Sequence, residues 1–126
     1  MIKSMQIKNT KNKGRGVFAT ENYLPNDIIE ICPVIVLNSE DRKIIDKTFL
    51  YNYYFSWGKK SDKAAIVLGF GSLYNHSYSP NAKYIKDSKK RCLQIIAIKT
   101  ISNGDEVKIN YNGDPTNNDP LWFEVK

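Results

Sequence analysis

The chain has 126 residues, 41% hydrophobic and 25% charged, with 19 Lys and Arg against 13 Asp and Glu for a formal net charge of +6. That length accommodates one domain around a single core, the mixture is that of a folded chain rather than a disordered one, and no apolar run approaches a membrane span. The positive excess is almost all lysine, 16 against 3 arginines, and a lysine-rich surface keeps a protein in solution without requiring nucleic acid. Met1 to Lys8 lacks the apolar stretch and small-residue cleavage site of a signal peptide, so the expected location is intracellular and cytoplasmic.

In chain order, Ser4 to Thr10 alternates Met5, Ile7 and Asn9 with polar neighbours, the period of a half-buried strand. Asn12-Lys13-Gly14-Arg15-Gly16 then turns the chain into Val17-Phe18-Ala19, making a hairpin. Leu24-Pro25-Asn26-Asp27 is the next turn, and Ile28 to Leu37 is a second apolar run in which Pro33 marks a bulge or a sheet edge. Ser39, with Glu40 and Asp41 behind it, reads as the N-cap of one short helix carrying Ile44 and Ile45. From Phe49 to Trp57 every odd position is aromatic, so a strand here presents Phe49, Tyr51, Tyr53, Phe55 and Trp57 on one face. Core packing is the plainer use of Phe49 and Phe55, and a narrow aromatic channel is the sharper use of the face. Ala64 to Leu68, Lys83 to Lys86, Arg91 to Lys99 and Val107 to Tyr111 read as further strands, and the tail after Asn112 is turn chemistry ending in Leu121-Trp122-Phe123. The fold class is β-rich, mainly β with short helices. Cys32 and Cys92 sit among apolar neighbours without Cys-x-x-Cys spacing, so two buried free thiols and no metal site are expected.

The densest chemistry lies in Gly69-Phe70-Gly71-Ser72-Leu73-Tyr74-Asn75-His76-Ser77-Tyr78-Ser79-Pro80-Asn81-Ala82, which holds two glycines, the single histidine and an Asn-His-Ser-x-x-Pro-Asn run. Taken alone, such a run closes a loop, and a lone histidine is more often a structural hydrogen-bonding residue than a catalyst. The stretch resembles the Asn-His-Ser signature of SET-domain protein-lysine methyltransferases. Two further segments stand in the matching order, Lys13-Gly14-Arg15-Gly16-Val17-Phe18-Ala19 before it and Gly104-Asp105-Glu106-Val107-Lys108-Ile109-Asn110-Tyr111 after it. The resemblance covers roughly residues 5 to 113.

It implies a SET fold of small curved sheets with a C-terminal pseudoknot, one domain over residues 1–126 with a core of about 5–113 and a tail, 114–126, covering the active site. It implies transfer of a methyl group from S-adenosyl-L-methionine to the side-chain amine of lysine in a protein. Gly14, Arg15, Gly16, Asn75, His76, Tyr111 and Trp122 are then cofactor-binding residues, with the Gly14-Arg15-Gly16 backbone laid against the cofactor. Tyr111 orients the amine at the methyl-transfer point, and Tyr53 joins it as a catalytic residue of the lysine channel. The implied partner is a protein with an exposed lysine, histone or histone-like, with no membrane and no required nucleic acid. A homodimer is left open, and a viral or secreted protein of this kind would act in a host nucleus. The chain departs from the family by lacking cysteine clusters before or after the core, which leaves Trp122 and Phe123 as candidates to cover the site. It also carries Asp105 and Asn110 where Glu and Asp are more usual. Two other readings compete: a small basic β-domain that stacks single-stranded nucleic acid on its tyrosines, and a SET relative that binds lysine peptides without turning them over.

Overall fold

The computed structural model describes residues 5–121. Among them nine strands run in chain order as β1 (Met5–Asn9), β2 (Arg15–Ala19), β3 (Ile28–Leu37), β4 (Phe55–Trp57), β5 (Lys63–Val67), β6 (Asn75–His76), β7 (Ala82–Asp87), β8 (Cys92–Ala97) and β9 (Glu106–Ile109). A single α-helix among these residues, α1 (Ser39–Ile45), and two 3₁₀ turns, Phe49–Asn52 and Gly71–Leu73, complete the regular structure. The strands form two sheets, of order β1-β2-β9-β6 and β4-β5-β3-β8-β7.

The expected opening hairpin is present. β1 and β2 pair from Met5↔Ala19 to Asn9↔Arg15, and the Thr10 hydroxyl and backbone N–H both donate to the Gly14 carbonyl at 2.8 and 2.6 Å. Gly14 closes this turn at φ +68°, a left-handed conformation that disfavours a Cβ. β9 then pairs antiparallel with β2 through Val17↔Val107, and β6 pairs parallel with β9 through Asn75↔Lys108 and His76↔Ile109. The C-terminal strand thus lies between two strands that precede it in sequence, the threading that the pseudoknot expectation requires.

In the larger sheet, the period-2 alternation of β8 turns Leu93, Ile95 and Ala97 inward, each fully buried. They join Val17, Val107 and Ile109 of the smaller sheet in one apolar cluster. Both thiols, Cys32 and Cys92, are free and buried.

Three local expectations are corrected. β3 is an inner strand, and its irregularity falls between Ile28 and Glu30 rather than at Pro33. Pro33 instead sits where pairing passes from β8, which ends at Pro33↔Cys92, to β5, which begins at Val34↔Val67. The missing N–H therefore falls at the end of a ladder, where it costs least. The helix N-cap is Asn38, whose side chain accepts the Asp41 N–H at 2.8 Å, and Ser39 is the first helical residue. No α1 residue is buried, and Ile44 is exposed. Arg42 ties the helix down instead, donating to Tyr54 Oη, Ser56 Oγ and the carbonyls of Ser61 and Lys63.

The third correction is the aromatic run. Phe49–Asn52 is a 3₁₀ turn capped by Thr48, whose hydroxyl accepts the Leu50 N–H at 3.2 Å, and only Phe55–Trp57 is strand. Phe49 is 76% exposed, so it packs no core. Alternation of aromatics also satisfies an i, i+4 relation, and Phe49 and Tyr53 meet at a centroid distance of 5.2 Å. The flat aromatic strand on which a base-stacking surface would rest is absent.

Gly71 is buried where an added Cβ would collide with the Val67 side chain and come within 3.1 Å of Cys32 Sγ. Gly71→Ala is expected to cost roughly 1–3 kcal/mol through overpacking. Urea unfolding checks this, and an unchanged midpoint would mean that the loop relaxes freely.

Candidate active site

The sequence motifs converge on two cavities that share a wall. The smaller, about 130 Å³, is lined by Lys13, Gly14 and Arg15 from the β1–β2 turn, by Asn75 and Leu73, and by Asn52, Tyr53, Ser72 and Tyr111. The larger, about 310 Å³, is aromatic, with Tyr54, Phe55, Tyr74 and Tyr84 on its walls. Asn52, Tyr53, Ser72 and Tyr111 line both. Of the residues singled out in the sequence, Gly14, Arg15, Asn75, Tyr53 and Tyr111 are brought together here. Gly16 and His76 stand behind the wall, and Trp122 and Phe123 lie outside the described residues.

Tyr111 lies just past the end of β9, and three hydrogen bonds to described residues hold it. Its hydroxyl donates to the Tyr74 carbonyl at 2.6 Å, its N–H donates to His76 Nδ1 at 3.0 Å, and its carbonyl accepts the Tyr84 hydroxyl at 3.2 Å. Burial, then the neighbouring Tyr53 and Glu106, push its pKa well above the ordinary tyrosine value. At neutral pH it is therefore a protonated hydroxyl. Because its one proton is committed to Tyr74, what it offers a ligand is an oxygen lone pair.

The polar residues of the Asn-His-Ser-x-x-Pro-Asn run grip the C-terminal strand. Asn75 Nδ2 donates to Glu106 Oε2 at 2.8 Å and to the Arg15 carbonyl at 3.0 Å, stitching β6 to both β9 and β2. The Ser77 N–H donates to the Ile109 carbonyl at 2.8 Å. Asn81 Nδ2 donates to the Glu106 carbonyl and its Oδ1 accepts the Lys108 N–H, both at 2.8 Å, so one side-chain amide behaves as a further strand partner for β9. Gly16 is required by this arrangement, since a Cβ there would sit 2.6 Å from Glu106 Oε2 and 2.9 Å from Asn75 Nδ2.

His76 is buried, its ring edge-on to Tyr78 and Tyr111 at 4.4 and 5.2 Å. Since Nδ1 accepts from Tyr111, the proton belongs on Nε2, which is buried without a hydrogen-bond partner among the described residues. Its carbonyl accepts Lys13 Nζ at 2.8 Å. Burial, then the Lys108 charge, lower the Lys13 pKa, with Glu106 opposing.

The tail returns to this region as far as it is described. Asn110 and Asn112 donate from Nδ2 to the carbonyls of Asn117 and Asp119 at 2.7 and 2.9 Å, and the Tyr78 hydroxyl donates to Asp119 at 2.9 Å. Among the described residues no group of three or more His, Cys, Asp or Glu could hold a metal ion, and no helix is long and apolar enough to cross a membrane.

Sequence reasoning missed Lys13, Asn52, Ser72, Tyr74, Tyr84 and Glu106 as parts of the site. Lys13 and Glu106 lay inside the quoted motifs, so a signal existed. The same holds for Ser72 and Tyr74, whereas Tyr84 and Asn52 carry none, because only tertiary packing brings them to the cavities.

A family model described as SET domain matches residues 14–112. The chain is 33% identical over 121 residues to a histone-lysine N-methyltransferase, H3 lysine-37 specific, of Schizosaccharomyces pombe, covering 95% of this chain and 77% of that protein. It is 30% identical over 126 residues to a histone-lysine N-methyltransferase, H3 lysine-36 specific, of Gibberella zeae, but spans only 14% of that longer protein. A solved structure described as a histone methyltransferase of Plasmodium falciparum superposes with a TM-score of 0.68 at 31% identity, over 88% of this chain and 95% of that one.

His76 also makes the site sensitive to pH. Burial, then the Lys13 charge, lower its pKa below the ordinary histidine value. With the folded value below the unfolded one, the unfolded chain takes up the proton first. The stability contributed by neutral His76 is therefore complete above the unfolded value, about 6.5, and is lost as pH falls through the folded value. Because this is the single histidine, the urea midpoint is expected to hold at neutral pH and to drop below about pH 6.5. In His76→Gln that step should vanish. An equal step in the variant would assign it to carboxylates instead.

Proposed function

The chain belongs to the SET domain family, and on that ground we propose a protein-lysine N-methyltransferase that moves a methyl group from S-adenosylmethionine to a lysine side-chain amine. The observation that carries the reading is the shared wall: Tyr111 and Tyr53 stand between a polar, lysine- and glycine-lined cavity and an aromatic one. Such a wall suits a reaction whose two reactants enter from opposite sides.

The smaller cavity fits the cofactor by the chemistry of its lining. Lys13 and Arg15 offer cations to a carboxylate, and nothing lies within 4 Å of where a Cβ on Gly14 would sit, which leaves room for close backbone approach. The amide nitrogen of Asn75 is already committed to Arg15 and Glu106, so its side chain would meet a ligand through Oδ1. His76 would serve through its grip on Tyr111. When bound, S-adenosylmethionine supplies an electrophilic methyl group on a sulfonium centre.

The larger cavity receives the substrate lysine. A free lysine amine, with a pKa of about 10.4, is almost wholly protonated at neutral pH, and desolvation among Tyr53, Phe55, Tyr84 and Tyr111 favours its neutral form. The Tyr111 oxygen, its proton given to Tyr74, accepts from the amine and holds it in line. This is orientation rather than proton abstraction, since the raised pKa keeps the hydroxyl neutral. The substrate class that the relatives suggest is histone or histone-like protein, encountered inside a cell.

Two substitutions separate the roles. Tyr111→Phe keeps the ring and should lower kcat by about 100-fold with little change in cofactor affinity, because the lost contact acts mainly in the transition state. Asn75→Ala should weaken cofactor binding and also lower Tm, since it unpins Arg15 and Glu106. Calorimetry with S-adenosylmethionine and single-turnover transfer from tritiated cofactor to histone H3 read both. A folded wild type that neither binds the cofactor nor is stabilised by it would overturn the proposal.

A further inference from the structure

One partly buried carboxylate lies outside the site just described and is engaged on every side. Glu30, on β3 in the larger sheet, accepts the Phe70 N–H on Oε2 at 3.0 Å and the Tyr74 hydroxyl on Oε1 at 2.7 Å. The Cys32 thiol is near enough to feel it: its pKa is raised first by burial and then by the Glu30 charge. A Cβ on Gly69 would collide with Glu30 Oε2, so the loop crosses directly over the carboxylate, at φ +66°. Tyr74 itself is 1% exposed.

These contacts have a geometric consequence. Glu30 grips both ends of the segment Phe70 to Tyr74, and the carbonyl of Tyr74 is the group that takes the Tyr111 proton at 2.6 Å. Ser72 and Leu73, between the gripped ends, line the smaller cavity, and Gly71, Ser72 and Tyr74 line the larger. Desolvating a carboxylate is costly, and the two donors at the ends of the segment offset that cost only while it keeps its shape. An apolar residue at this position could fill space but could not determine where the Tyr74 carbonyl lies.

We propose that Glu30 is a positioning residue for methyl transfer: by anchoring Phe70 and Tyr74 it fixes the carbonyl that orients the Tyr111 hydroxyl. The inference rests on the methyltransferase reading for its kinetic consequence, but its structural consequence is independent of that reading. Glu30→Gln keeps the shape and one acceptor oxygen while placing an amide donor against either the Phe70 N–H or the Tyr74 hydroxyl. Tyr74→Phe removes the hydroxyl and leaves the backbone carbonyl.

The first measurement uses the cofactor-free protein with ¹³Cζ-labelled tyrosine, the Tyr111 resonance being assigned by its loss in Tyr111→Phe. Both Glu30→Gln and Tyr74→Phe should move that resonance, and an unmoved Tyr111 signal overturns the proposal. Should Glu30→Gln fail to fold, Tyr74→Phe decides the question by itself. The second measurement is single-turnover transfer from tritiated S-adenosylmethionine to histone H3, well below Tm. Glu30→Gln should lower the rate roughly 10- to 100-fold with the cofactor KM nearly unchanged. In the Tyr111→Phe background the same substitution should cost less than threefold, since both act through one hydroxyl. Multiplicative losses in the double variant would show that Glu30 affects the rate by another route, and the proposal falls. A wild type inactive on histone H3 counts against the functional reading alone, and the Tyr111 resonance still decides the role of Glu30.

Discussion

The site depends on the backbone ladders along β9, a strand of four residues. On one side it pairs antiparallel with β2, and on the other it pairs parallel with β6. A parallel pair cannot be closed by a tight turn. The connection from β6 to β9 therefore runs through β7 and β8 in the other sheet, and a two-residue β6 gives the parallel ladder little strength of its own. Side chains make up the deficit. Asn75, Asn81 and the His76 ring each bond to β9 or to Tyr111, two residues beyond it. The motif that looks like a ligand-binding signature is in the first place a clamp on a threaded strand, and binding capacity is a result of what the clamp brings together.

That clamp also sets the electrostatic character of the site. Tyr111 is drawn toward the interior by its backbone bond to His76 and by its hydroxyl bond to Tyr74. Burial then raises the tyrosine pKa and lowers that of the histidine, so Tyr111 and His76 are both neutral at physiological pH. A neutral wall leaves the charged partners of the reaction to Lys13, Arg15 and Glu106. In the reaction proposed above such a site would act by holding lone pairs in line, a role that the contacts fixing the Tyr111 hydroxyl would serve.

The departure at Asn110 has a use. A carboxylate there could accept but not donate, whereas the buried Asn110 accepts the Asn112 N–H and donates to the Asn117 carbonyl. Together with Asn112 and Tyr78 it folds the tail back beside the His76 ring. Side-chain amides thus order the described part of the tail.

Sequence and structure divide the explanation along a physical line. Local rules were legible: the Gly14 turn, the alternating core face of β8, the burial of both thiols and the β-rich class follow from backbone sterics and residue period, which act between near neighbours. The order of three motifs pointed to the family because each motif carries residues whose chemistry is needed at one place. Period alone misread Phe49 to Trp57, since alternate aromatics satisfy both a strand and an i, i+4 turn, and the Thr48 cap decided for the turn. Pro33 looked like an edge, yet lies in an inner strand because the exchange of partners from β8 to β5 occurs at that residue. Glu30 gave no sign at all in the chain. Its meaning arises from hydrogen bonds to residues 40 and 44 positions away, and only the packing of β3 beneath the Phe70–Tyr74 segment brings those groups within reach.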